Sequence, residues 1–396
     1  VLLKFEISKS LAERWAASPR FFQFGGGIDM KYRLALFAVV VAVVVICSVG
    51  SAALRVSPEM ELLAGVLAQT SWIESRGPQG PGNEYYRALK EFFSAYKDHE
   101  AVAIAQRLTE KGFTYDAPPA FICHLGTLPE LPVLYEYSDY LVERAGGRDK
   151  LEDFRLALAD LAAESRFLDF FARWEPYLEE CLQEIRESFR EGVVQAWLTE
   201  FFGWEPAHFE LIMAPSMFPG GGYGATAWDS AGNPLAFQII REQGTSTGVP
   251  EFPTSADLEL LTIHELGHSF VNPSLEAYPE RTNKLRPLFW RVREVMRAQA
   301  YTATALFLNE QVIRAVEVLA ARELYAFEVG EHVVEYNADR GFYLTTFVVE
   351  QLEHYRANRS LYPTFQDFVP HLFDQLEVYA EENCTWLERF LSQFVR

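Results

Sequence analysis

TIHELGHSFVNP, residues 262–273, is the stretch on which the reading of this chain turns. It holds His264, Glu265 and His268 in the HExxH pattern. A helix is expected over about 256–271. Thr254 or Ser255 can cap it, Asp257 suits its first turn, and Leu258, Leu261 and Phe270 supply apolar packing. Asn272-Pro273 should stop it, because a residue before proline is pushed out of helical conformation. On such a helix the two histidines project about 40° apart, with Cβ atoms roughly 6 Å apart, so both imidazoles can reach one ion. Glu265 lies about 100° round from His264, beside the ion. That is the place for a base that takes a proton from metal-activated water.

A chance HExxH arises in roughly one sequence in a hundred of this composition, so the helical setting matters. Gly267 weakens that setting by about 1 kcal/mol of helix propensity. A close approach by neighbouring backbone would explain it.

A catalytic zinc takes three protein ligands and keeps a position for water. The metzincin continuation is missing, since position 274 is Ser. A carboxylate on a later helix is the remaining common solution. Residues 288–327, after Pro287, contain no Gly or Pro and offer Glu310, Glu317 and Glu323. Glu310 is favoured. Phe307, Val312 and Ala315 neighbour it, and Arg314 one turn on could hold it as a ligand. The plainer reading is a surface i,i+4 pair. His332, Glu335 and Asp339 could enter the site as hydrogen-bond partners or a substitute ligand. His99, His124, His208, His354 and His371 show no ligand spacing and read as structural or solvated.

Outward from the motif the texture is α+β. Helix is expected over 83–116 and again over about 151–202. A short apolar strand at 208–214 and a second at 235–241 flank a turn-rich stretch, 215–224. After the motif come long helices, a break at Asp339-Arg340-Gly341, and a mostly helical tail. The expected division is a helical N-terminal region over 84–206 and a motif-bearing region over 207–396.

The chain has 396 residues and a formal charge of -20, with 55 acids against 35 bases. That excess argues against nucleic acid as a partner. Residues 34–54 are uncharged, follow Lys31 and Arg33, and end in small residues. This is the layout of a secretory signal cleaved near Ala52 or Ala53. Two other readings are an uncleaved membrane anchor and a lipoprotein signal at Cys47. Met30 fits the natural start, which makes residues 1–29 an expected spurious extension. Of the other cysteines, Cys123, Cys181 and Cys384, two could form a disulfide in an exported protein.

The stretches 262–273, NEQVIRA (309–315) and EYNADRGFYL (335–344) resemble the domain-of-unknown-function 4932 family. The likeness extends upstream through 89–102 and 112–121. That family is regarded as a zincin-like metallopeptidase group of secreted bacterial proteins. The resemblance implies a zincin-like core, a small sheet plus the HExxH helix, flanked by large helical regions. It also implies a gluzincin arrangement: His264, His268 and Glu310 on zinc, with Glu265 as the base. Thermolysin-type gluzincins carry an Asp four residues after the ligand Glu, where this chain has Arg314. The expected function is a secreted zinc metallopeptidase acting on peptide or protein substrates. The alternatives are a non-catalytic, zinc-stabilised surface binding module and a zinc hydrolase of a non-peptide amide.

Overall fold

Four strands set the frame, in the order β1-β2-β4-β3. They are β1 (Arg55–Val56), β2 (His208–Ala214), β3 (Gly222–Trp228) and β4 (Pro234–Arg241). β1, β2 and β4 run parallel, and β3 pairs antiparallel with β4. The computed structural model describes residues 54–75, 82–206, 208–217, 222–244, 250–253, 255–299 and 301–393. The segment expected to be a secretory signal, Cys47 and Thr254 lie outside them.

β2 and β4 are near-continuous apolar runs buried on both faces, as parallel internal strands require. β3 alternates instead. Tyr223, Ala225 and Ala227 are buried, while Gly222, Gly224 and Thr226 are partly exposed on the other face. The register puts Gly222, Gly224 and Thr226 beside Ile240, Gln238 and Ala236. This is the face that receives the HExxH helix: Thr226 Oγ1 lies 2.8 Å from Ser269 Oγ. The opposite face, with Ile212, Tyr223, Phe237 and Ile239, joins one core with the N-terminal helices, including Met60, Leu63, Phe93, Phe121 and Leu158. The sheet is therefore sandwiched between two helical layers, an α+β architecture.

Several local expectations need revision. The N-terminal stretch is two helices, Glu84–Ser94 and Glu100–Glu110. The 151–202 stretch is three: Arg148–Glu164, Phe167–Ser188 and Glu191–Phe202. Arg166 breaks the first join with a left-handed φ of 54°. At the second, Arg190 is pinned by its backbone N–H and guanidinium to the buried Glu259 carboxylate of the motif helix. The expected turn at 215–224 already contains the start of β3. The 235–241 strand, β4, is internal in the described sheet, and β3 is the edge beside it.

The motif helix, Ser255–Glu276, runs through Pro273 rather than stopping before it. A proline inside a helix costs about 3 kcal/mol. Burial of Phe270, Val271 and Leu275 offsets that. Phe270 stacks on Phe202 at 4.3 Å between ring centroids. The helix Thr304–Leu324, called here the carboxylate helix, packs along the motif helix and is buried from Phe307 to Val316. Among the described residues the three cysteines form no disulfide, and no helix is long and apolar enough to cross a membrane.

Candidate metal centre

His264 and His268 stand one turn apart on the motif helix. Their rings are 5.0 Å apart between centroids and nearly perpendicular. Glu310 arrives from the carboxylate helix between them. His268 Nε2 lies 3.3 Å from Glu310 Oε1, and His264 Nε2 lies 3.8 Å from Oε2. One donor atom from each of the three residues falls within 4.8 Å of the others.

The approach of the two helices depends on Gly267. A Cβ there would lie 2.1 Å from Ile313 Cδ1. The close neighbour is therefore a side chain of the carboxylate helix, not the backbone that the sequence reading expected.

Glu310 and Arg314 are both buried, and Arg314 Nη2 lies 2.9 Å from Glu310 Oε2. This is the i,i+4 pair anticipated from the sequence, placed in the core and not on the surface. Burial alone would favour a neutral Glu310. Arg314 and the two imidazoles overcome that and hold its carboxyl well below the usual carboxylate range. Arg314 is gripped in turn: Nη1 donates to Asn337 Oδ1 at 2.9 Å, and the guanidinium lies over the Phe342 ring at 4.0 Å. Despite the ion pair, Glu310 Oε2 accepts no aligned hydrogen bond. Beside the Arg314 ion pair, that oxygen keeps lone-pair capacity that no aligned donor fills. Two imidazoles and one carboxylate are also the donor set that zinc takes in hydrolytic sites. On both counts the residues fit a divalent cation.

Glu265 faces β3. Its Oε1 lies 3.4 Å from where a Cβ on Gly222 would sit, and its Oε2 lies 3.4 Å from the corresponding point on Gly224. Its backbone carbonyl would be 2.6 Å from a Gly224 Cβ. The two glycines let the edge strand run directly beneath the motif helix.

A family model described as "Domain of unknown function (DUF4932)" matches residues 79–374. The chain belongs to that family. No curated protein and no solved structure matches it. The matched DUF4932 region contains the whole cluster and all of β2, β3 and β4.

The other sequence candidates take different places in this DUF4932 chain. Glu317 Oε2 lies 3.4 Å from His264 Nδ1, on the far edge of that ring from Glu310. Glu323 accepts from Trp197 Nε1 and pairs with Arg356. His332 is exposed, its Nδ1 2.9 Å from the Glu328 carbonyl of its own helix. Glu335 and Asp339 are exposed on that helix too. Of the remaining histidines, His99 caps a helix by accepting from the Ala101 N–H, and His124 is buried against the Ala120 carbonyl. His99 also faces the exposed Asp160 and Glu164 through Nε2. Because Nδ1 accepts the cap bond, Nε2 carries the proton in the neutral ring and is not free to bind a metal.

Two site residues escaped the sequence reading. Asn272 Oδ1 lies 3.1 Å from His268 Nδ1, and Asn337 holds Arg314. Asn272 had a usable signal, since it stands four residues after His268 on the same helix face. Asn337 had none, because its partner is 23 residues away.

Proposed function

We infer that this chain is a zinc-dependent metallopeptidase with a zincin-like core, exported through the segment at 30–53. The observation that carries the reading is the convergence of His264, His268 and Glu310 from two helices, with Glu265, the neighbour of His264, against β3, the edge strand of the described sheet.

His264 and His268 would hold zinc through Nε2, and Glu310 would hold it through its carboxylate. Zinc, when bound, supplies Lewis acidity, which makes water a stronger acid and polarises a carbonyl. Glu265 is the group that moves the proton. A carboxylate oxygen takes it from the attacking water and returns it to the leaving amine. Arg314 keeps Glu310 ionised and fixed. β3 orients the substrate: among the described residues it is the edge strand, and such an edge can add an extended peptide as a further strand. Gly222 and Gly224 keep that edge within reach of Glu265. The preference for peptides over other amides rests on this edge, which recognises backbone. Replacing Glu265 by Gln should leave zinc content unchanged and abolish peptide hydrolysis. Retained hydrolysis would overturn the assignment.

A further inference from the structure

Glu317, like Glu265, is an acid at the site that lies outside the donor cluster. It stands seven residues beyond Glu310, two turns along the same stripe of the carboxylate helix. His264 is held between these two acids, with Nδ1 facing Glu317 Oε2 at 3.4 Å and Nε2 facing Glu310 Oε2 at 3.8 Å. A neutral imidazole has one N–H and one lone pair. If the lone pair is to serve a cation on the Glu310 side, the proton must sit on Nδ1, and Glu317 is the acceptor waiting there. His268 repeats the arrangement with a neutral partner: its Nδ1 faces Asn272 Oδ1 and its Nε2 faces Glu310. Both rings turn Nε2 inward, but only the His264 ring is backed by a carboxylate.

The geometry points to Glu317 as a positioning residue that accepts the His264 Nδ1–H and presents the Nε2 lone pair to the metal. This rests on the metal-centre reading above. It also accounts for Arg314. The position four residues after Glu310 is spent on clamping Glu310 itself, so the carboxylate that orients the histidine comes from one turn further on. Formal charge agrees. Glu265, Glu310 and Glu317 bring three negatives and Arg314 one positive, and the remaining two match a divalent cation.

A carboxylate behind a ligand histidine fixes its ring and raises its basicity, and losing such a partner typically weakens metal binding by about 10- to 100-fold. The test is zinc affinity of the full chain by chelator competition, for the parent, Glu317→Gln and Glu317→Asp. Gln keeps the shape and removes the charge; Asp keeps the charge and withdraws it by a methylene. Either variant that folds should bind zinc about 10- to 100-fold more weakly. Ring-nitrogen NMR of the histidine-labelled, zinc-loaded protein supplies a second readout. The His264 Nδ1–H resonance should shift in the variants while that of His268 stays. Unchanged affinity with an unmoved His264 resonance overturns the positioning role and leaves the metal centre standing. A parent protein that binds no zinc overturns both.

Discussion

Ile313 Cδ1 occupies the space that a Cβ on Gly267 would need, at 2.1 Å. Gly267 is thus the point at which the carboxylate helix closes on the motif helix, three residues after His264 and one before His268. Alanine there would gain about 1 kcal/mol of helix propensity, yet Ile313 is fully buried and cannot swing clear without disturbing its neighbours.

Gly267→Ala should therefore lower both thermal stability and zinc affinity in spite of its better propensity. Ile313→Val removes the clashing Cδ1, so the double variant should regain most of both. Melting curves and chelator competition on the single and double variants check this. A Gly267→Ala protein as stable and as zinc-avid as the parent would contradict it.

Arg314 stabilises a carboxylate that is buried in the absence of metal. Arg314→Met strips Glu310 of its partner, and breaking a buried pair from one side costs about 3–5 kcal/mol. The loss should be large in the apo protein and smaller with zinc present, because the cation replaces the missing positive charge. Calorimetry with and without zinc reads the difference. An equal loss in both states would show that Arg314 has no electrostatic link to the centre.

Gly224→Ala tests the edge strand. The new methyl group would meet the Glu265 carbonyl at 2.6 Å and push β3 off the motif helix. Zinc affinity should hold, because no ligand comes from β3, while kcat/KM on peptides should fall at least about tenfold, or 1.4 kcal/mol of transition-state stabilisation. Loss of zinc with intact turnover per zinc would refute this division of labour.

Away from the centre, Glu61 is fully buried, beside Tyr85, Ser216 and Glu242, and burial pushes its carboxyl up from 4.5 to about 8. Between those values the folded chain holds a proton that the unfolded chain has released. Its contribution is complete below the lower value and is lost as pH rises, at about 1.4 kcal/mol per unit, levelling off above the upper one. Glu61→Gln should flatten that slope in urea unfolding followed across the window. Parallel slopes in the two proteins would contradict the buried, protonated state.

The sequence alone led to His264, Glu265 and His268 because a four-residue spacing is fixed by helix geometry. Glu310 was favoured because Arg314 stands one turn away, and the structure brings both to the histidines. What stayed hidden is tertiary. β3 begins in a glycine-rich run that reads as a turn, and only pairing with β4 and docking of the motif helix reveal it as the edge. Pro273 reads as a stop, but burial of the last turn outweighs the lost backbone bond. Glu317 reads as a rival ligand until its distance to the outer nitrogen of His264 is known.

The central claim is that the centre hydrolyses peptides with metal assistance. The most direct measurement is mass-spectrometric analysis of a peptide-library digest by zinc-loaded protein, repeated after chelation and again after zinc is restored. The account predicts cleavage that disappears on chelation and returns with zinc. A zinc-loaded protein that leaves the library intact, or cleavage indifferent to chelation, would contradict it.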